Sequence, residues 1–219
     1  MNRLLFEKTG DAVYLSHLDL MRIFQRAFKR ADILIWHTQG FSPRAYVSIA
    51  LPLSVGTESR CEILDFEIED GAADLADLPE RLNRTMPAGI RVLKAYESGR
   101  KFKELTYLQS RTVLEYDAGI PEGAADAIRA LFEKERITVM KFSKNGEKEV
   151  DIKPAISSLR ISVLSPQELQ LECVASAQNP GLNPQLLVQA ISKYLQDSAP
   201  DFFRICRVEV FDAQMQIFR

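Results

Sequence analysis

Three stretches near the amino terminus hold the residue types and spacings that could do chemistry. The first is Ser16-His17-Leu18-Asp19, followed by Arg22, Arg26 and Arg30 at intervals of four. The second is Gln39-Gly40-Phe41-Ser42-Pro43-Arg44, and the third runs Gly56-Thr57-Glu58-Ser59-Arg60-Cys61-Glu62. A four-residue interval drifts only slowly around a helix, so the three arginines form one basic stripe. Guanidinium forks suit phosphate or carboxylate oxygens, so the stripe is either an anion grip or a solvated helix face. The Gly40–Arg44 loop could aim backbone N–H groups and a guanidinium at the same anion, or simply join two strands.

His17, one of two histidines, has the chemistry of a general acid, base or ligand, and Asp19 and Glu62 are the carboxylates nearest in pattern. Against this, Ser16 and Asp19 have a structural use as a helix cap. Glu62 is the pointed oddity. Counting by two from Leu64, Phe66 and Ile68 puts it on the apolar face of a strand, where a carboxylate needs water or a cation such as Arg44 or Arg26. No second histidine stands at a metal-ligand spacing, and no P-loop, dinucleotide fingerprint, HExxH or GxSxG motif occurs. The three cysteines, Cys61, Cys173 and Cys206, are too widely spaced for a zinc knuckle, a disulfide framework or a Cys-x3-Cys-x2-Cys iron–sulfur run.

The elements that must position these residues follow from periodicity. Leu4–Lys8 and Ala12–Leu15 read as strand material broken by a turn at Thr9-Gly10-Asp11, and Ser16–Ala31 reads as a helix, with Leu20, Phe24, Ala27, Phe28 and Ala31 on one face. Ile33–Trp36, Tyr46–Leu53, Glu62–Glu69 and Ile90–Tyr96 read as strands, and Asp74–Met86 as a second amphipathic helix. The charged run Glu97–Glu104 marks a boundary. Beyond it the order repeats. Thr106–Tyr116 is strand, Pro121–Arg136 a helix with Pro in its first turn, and Ile137–Phe142 a strand before a Lys144-Asn145-Gly146-Glu147 turn. Ser158–Leu164 and Leu169–Ala175 form a hairpin, Pro184–Gln196 a helix and Phe203–Phe211 a closing strand. Both halves read strand, helix, strands, helix, strand, which predicts an α+β fold of two tandem ferredoxin-like (split βαβ) halves, antiparallel sheets with helices on one face. The expected domains are 1–98, carrying the site, and 105–219; one larger sheet holding all the strands is the alternative.

Composition sets the outer limits. The chain has 219 residues, 46% hydrophobic and 26% charged, enough for one large or two small cores. Net charge is 28 − 30 = −2, so nucleic-acid binding requires a local basic patch rather than a broad basic surface. No apolar run reaches the roughly 18–20 residues of a membrane span. The amino-terminal MNRLLFEK mixes acid and base where a signal peptide would be apolar, so the expected compartment is the cytoplasm.

Tyr14-Leu15-Ser16-His17-Leu18-Asp19-Leu20, Arg26-Ala27-Phe28-Lys29-Arg30-Ala31, Gly40-Phe41-Ser42-Pro43-Arg44 and Leu51-Pro52-Leu53-Ser54-Val55-Gly56 together resemble one bacterial family, DUF2344 or "radical SAM-linked" proteins. Glu58-Ser59 and Glu62, Val150-Asp151-Ile152-Lys153-Pro154, and Asn183-Pro184 extend the resemblance over nearly the whole chain. Family members tend to carry Arg where Lys153 and Asn183 stand here, which weakens a bidentate anion grip at those second-half motifs. The resemblance implies a radical SAM protein, encoded nearby or fused, as partner, and RNA as a possible ligand. It carries no established catalytic role and no cofactor. The expected function is therefore a non-catalytic accessory protein acting with a radical SAM enzyme in RNA modification or processing. Its expected contacts are Ser16, His17, Arg22, Arg26, Arg30, Gly40, Phe41, Arg44, Ser59 and Glu62. Two alternatives stand beside it: an enzyme using His17, Asp19 and Glu62 as acid/base groups on an anionic or nucleotide substrate, and a purely structural interaction partner.

Overall fold

In the structure, a computed structural model that describes residues 1–69, 74–143 and 146–219, the chain is mixed α+β with a sheet core. Four α-helices occur among the described residues. Two compact units divide it: Met1–Glu104 with Phe218–Arg219, and Leu105–Ile217. Among the described residues no helix is long and apolar enough to cross a membrane.

The first unit is built on β1 (Asn2–Lys8), α1 (His17–Arg30), β2 (Val47–Ile49), β3 (Thr57–Phe66), α2 (Leu78–Asn83) and β4 (Ile90–Glu97). Its strands lie in the order β4-β1-β3-β2, all neighbours antiparallel, with Leu4 opposite Leu64 and Ala95. Alternation on β1 sends Leu4 and Phe6 into a core shared with Leu20, Phe24, Ala27 and Phe28 of α1. Phe6 meets Phe24 edge-on at 4.7 Å between ring centroids, and Phe28 meets Phe66 at 4.8 Å. Such pairs add about 0.5–1.5 kcal/mol beyond area burial, which seats α1 firmly on the sheet. At the end of α1, Arg81 of α2 donates to the carbonyls of Ala31 (2.6 Å) and Asp32 (3.1 Å). Those carbonyls would otherwise lack partners at a helix terminus.

The opposite face of this sheet carries Arg3, fully buried, opposite Asp65 and Tyr96. Arg3 donates to both Asp65 oxygens (2.6 and 2.9 Å) and to the Arg100 carbonyl (2.7 Å). Phe102 and Phe218 stack over the guanidinium at 5.1 and 5.2 Å. The charge is thereby paired, hydrogen-bonded and roofed by π faces, the conditions under which burial is tolerated.

The second unit comprises β5 (Tyr107–Glu115), α3 (Ala124–Glu133), β6 (Thr138–Ser143), β7 (Gly146–Asp151), β8 (Ile156–Ser165), β9 (Glu168–Ser176), α4 (Gln185–Tyr194) and β10 (Phe202–Phe211). Its main strands run β10-β5-β9-β8, antiparallel, and β6 and β7 pair as a separate two-stranded sheet. Leu169, Leu171, Cys173 and Ala175 point from β9 into a core with Ile128 and Leu131 of α3 and Leu187 and Ile191 of α4. The other face is wet and charge-paired: Arg204 contacts Glu115 (2.5 Å) and Glu168 (2.9 Å), and Arg111 contacts Glu172 (3.3 Å).

Several boundaries differ from the sequence reading. Ala12–Leu15 is no strand, since Gly10–Tyr14 forms a 3-10 helix, and the strand expected over Tyr46–Leu53 shrinks to Val47–Ile49, as Leu51 takes φ +47°. Ile33–Trp36 forms no strand; Ile35 makes one isolated bridge to Ile68, and the chain then turns away at Thr38. The second helix is confined to Leu78–Asn83, since Pro79 fixes its first turn and Pro87 follows. The four residues 70–73, just ahead of the helix expected from Asp74, lie outside the described residues. The helix expected from Pro121 begins at Ala124, because Gly123 enters it with φ +73°. Lys144 and Asn145 of the expected hairpin turn also lie outside the described residues.

Candidate anion-binding groove

Ser16 caps α1. Its hydroxyl accepts from the Asp19 N–H (3.2 Å) and donates to the Asp19 carboxylate (2.7 Å), and Arg22 donates to the other Asp19 oxygen (3.1 Å). The Ser16 hydroxyl, with Arg22 beside it, holds the Asp19 carboxyl below the usual carboxylate range. Asp19 is thus committed to the cap, as the spacing implied.

A groove of about 890 Å³ runs along α1. Arg22, Arg26 and Lys29 line one wall, with His37 and Ala45 on the facing segment. Phe28, Ile33 and Ile35 supply apolar lining, and Asp32 is the single carboxylate among the lining residues. The volume lies within the range of small-ligand clefts. Gln25 of α1 donates to the Ala45 carbonyl (2.9 Å), so a hydrogen bond spans from helix to facing segment. Asp32 turns the chain out of α1 with φ +52°, a conformation that Asp tolerates better than most residues.

The facing segment carries the glycine loop. Tyr46 N–H donates to Trp36 O (2.8 Å), Thr38 N–H to Arg44 O (2.9 Å) and Arg44 N–H to the Thr38 hydroxyl (3.1 Å). This short ladder closes the loop Gln39–Pro43, in which Gly40 takes φ +133°, a region only glycine enters freely. Trp36 and Tyr46 pack edge-on at 5.7 Å. Phe41 is fully exposed (110%). The loop thus presents a bare aromatic on a fixed base, and Phe41 is not among the groove's lining residues.

The expected residues thus fall into separate places. Arg22 and Arg26 line the groove; Arg30, exposed on α1, and Arg44, exposed in the loop, are not among its lining residues. The imidazole at the groove is that of His37, whose Nδ1 lies 3.7 Å from a Glu69 oxygen, rather than that of His17. His17 opens α1 and is half-buried. Ser59 and Glu62 are buried on β3, Ser59 opposite Lys8 and Glu62 opposite Phe6, with Glu62 only 1% exposed. The Ser59 hydroxyl accepts from the Cys61 N–H at 3.2 Å.

Sequence reasoning passed over two residues here. Lys8, also 1% exposed, donates to the Leu15 carbonyl (3.1 Å) just ahead of the α1 cap. The alternation Leu4, Phe6, Lys8 placed that lysine on the apolar face and could have flagged it. His37 had no acidic neighbour in sequence; its partner Glu69 arrives through the Ile35–Ile68 bridge.

The strand order and helix placement define an α+β chain with a sheet core. By fold it is similar to a solved chain in the "Crystal Structure of a Cbf5-Nop10-Gar1 Complex", with a TM-score of 0.53 at 6% identity, covering 95% of this chain and 48% of that one. Two further solved chains match with TM-scores below one half. One is from an H/ACA RNP bound to a substrate RNA containing 2'-deoxyuridine (0.49, 6% identity, 94% and 46% coverage). The other is from an archaeal box H/ACA sRNP Nop10-Cbf5 complex (0.46, 8% identity, 94% and 46% coverage). This chain spans about half the length of each. No curated protein matches the sequence. Residues 2–184 match DUF2344, described as an uncharacterized protein conserved in bacteria, and the chain belongs to that family.

Proposed function

We propose that this protein is a non-catalytic, cytoplasmic accessory module that binds single-stranded RNA along α1 and presents it to a radical SAM enzyme. The observation that carries the RNA reading is the convergence of Arg22, Arg26, Lys29 and His37 on one groove with apolar lining. Phosphates pair with the guanidinium and ammonium groups, and a base stacks on exposed Phe41. A net charge of −2 means that phosphate affinity needs a local patch, and α1 concentrates cations on its open side.

The accessory reading rests on where the acid/base candidates fall. Asp19 is spent on the cap, Glu62 is buried on β3, and neither lines the groove with His37. Ser16, His17, Ser59 and Glu62 then serve to fix the amino-terminal end of α1, while Arg30, Gly40, Phe41 and Arg44 extend the RNA contact beyond the groove. The radical SAM partner is the one the family resemblance implies, and the cysteine spacings leave cluster chemistry to that chain. The strand orders β4-β1-β3-β2 and β10-β5-β9-β8 support reading each unit as a ferredoxin-like half, with β6-β7 inserted in the second. The likeness to the Cbf5 chain is one of fold, and it adds nothing to the choice of groove.

Fluorescence anisotropy with a labelled single-stranded oligoribonucleotide tests the reading. Wild type binds, Arg22→Ala with Arg26→Ala weakens binding at least tenfold, and Phe41→Ala weakens it by about 1–3 kcal/mol, the worth of one stacked base. Absence of RNA binding, or equal binding by the double variant, overturns it.

A further inference from the structure

We infer that the outer edge of β8 is a docking site for an extended, acidic segment of another polypeptide, added to the sheet as a strand. β8 ends the strand order of its unit, so one side of its backbone carries N–H and C=O groups that no described strand pairs. Natural edges of this length are normally blunted by lysines, prolines, inward charges or bulges, and β8 has register shifts only near its two ends. Between the register shifts at Ile156/Ser158 and Val163/Ser165, the strand carries one charge, Arg160, and no proline. Val163 and Leu164 stand exposed at its far end.

Beside this edge lies a groove of about 500 Å³ lined by the whole stretch 156–161 together with Arg129, Phe132, Glu133 and Lys153. Six strand residues span about 20 Å, the length of an ordinary added strand. Strand addition draws affinity from main-chain hydrogen bonds and specificity from flanking side chains. Here the flanks are cationic. Arg129, Lys153 and Arg160 face the groove against the single carboxylate of Glu133. Lys153 is held in place by its bond to the Phe132 carbonyl (2.5 Å), which leaves two of its three ammonium hydrogens to offer. Arg160 sits across from Glu172, but that carboxylate already accepts from Arg111 (3.3 Å). Arg129 is paired with Asp126 on its own helix. An acidic strand is therefore favoured. A second copy of this chain is disfavoured, since antiparallel self-pairing brings two Arg160 side chains toward each other.

The probe is a capped nine-residue peptide carrying glutamate at alternate positions among threonine and valine, with a lysine-for-glutamate twin as control. Hydrogen exchange of the full chain should slow at least tenfold within residues 156–165 on adding the glutamate peptide, and not on adding the twin. Arg160→Glu, at an exposed position, should weaken the glutamate peptide at least tenfold and improve binding of the lysine twin. Four results overturn the inference: no added protection in β8, equal protection by both peptides, protection that grows with protein concentration alone and tracks dimerisation in sedimentation, or protection by an oligoribonucleotide instead. The first three results leave the α1 groove untouched, and the fourth is told apart from it by whether the oligoribonucleotide also protects α1.

Discussion

Replacing Asp65 by Asn removes the charge that Arg3 faces while keeping the side-chain shape. Arg3 is fully buried, bound by two oxygens at 2.6 and 2.9 Å, and covered by Phe102 and Phe218, so its guanidinium has nowhere to rehydrate. Removing one partner of a buried pair costs about 3–5 kcal/mol; the Asn carbonyl and the Arg100 carbonyl (2.7 Å) keep some of the hydrogen bonding, so about 3 kcal/mol is expected. An apolar pair of similar volume, Arg3→Met with Asp65→Leu, should recover most of that loss, because the desolvation penalty disappears with the charges. Urea denaturation followed by fluorescence of Trp36, the sole tryptophan, reports the first unit directly. A loss below about 1 kcal/mol in Asp65→Asn, or a double variant as damaged as the sum of its singles, would refute the account of this pair.

Three further outcomes follow. Gly89→Ala should destabilise by about 1–3 kcal/mol in the same assay, because its φ is +84° and a Cβ would stand 2.3 Å from the Thr9 carbonyl oxygen and 2.8 Å from the Ala12 Cβ; an unchanged midpoint contradicts this. Burial alone pushes the Cys173 thiol up to about 12, so at pH 8 it should resist a thiol reagent until the chain unfolds, while half-buried Cys206 reacts earlier; mass spectrometry of labelled peptides reads the order. Because the Ser16 hydroxyl lowers the Asp19 pKa on folding, the cap contributes stability above about pH 4 that is lost as pH falls through the lowered value; Ser16→Ala, expected to cost about 1 kcal/mol at pH 7, should cost less in strong acid, and an equal cost at both pH values would be contrary.

The legible parts of the sequence were those in which local periodicity and tertiary packing agree. α1 was readable to within a residue at each end, because one face is apolar and Ser16 and Asp19 announce the cap. β5 and β9 alternate cleanly for the same reason. Ile33–Trp36 is as apolar as a strand, yet its pairing stops at the Ile35–Ile68 bridge and the hydrogen bonds of Leu34 and Trp36 that flank it before the chain leaves to form the Gly40 loop, a decision made by tertiary contacts that local pattern does not encode. For the candidate site, Arg22 and Arg26 line one groove along α1, whereas Arg30, next in the same interval, does not. Which groups stand across from them depends on the Gln25–Ala45 bond and the Trp36–Tyr46 ladder, contacts spanning many residues. Glu62 was expected on an apolar face and lies on one, fully enclosed, opposite Phe6.

The salt dependence of RNA affinity tests the central claim most directly. For a single strand, the slope of log K against log salt is about −0.7 for each phosphate neutralised, so the groove cations Arg22, Arg26 and Lys29 together contribute about −2 to it. In Arg22→Ala with Arg26→Ala, Lys29 alone remains of the three groove cations, and the slope should flatten by about 1.4. Equal slopes in the two proteins, or affinity indifferent to salt, would contradict a cationic groove along α1 as the place where RNA is held.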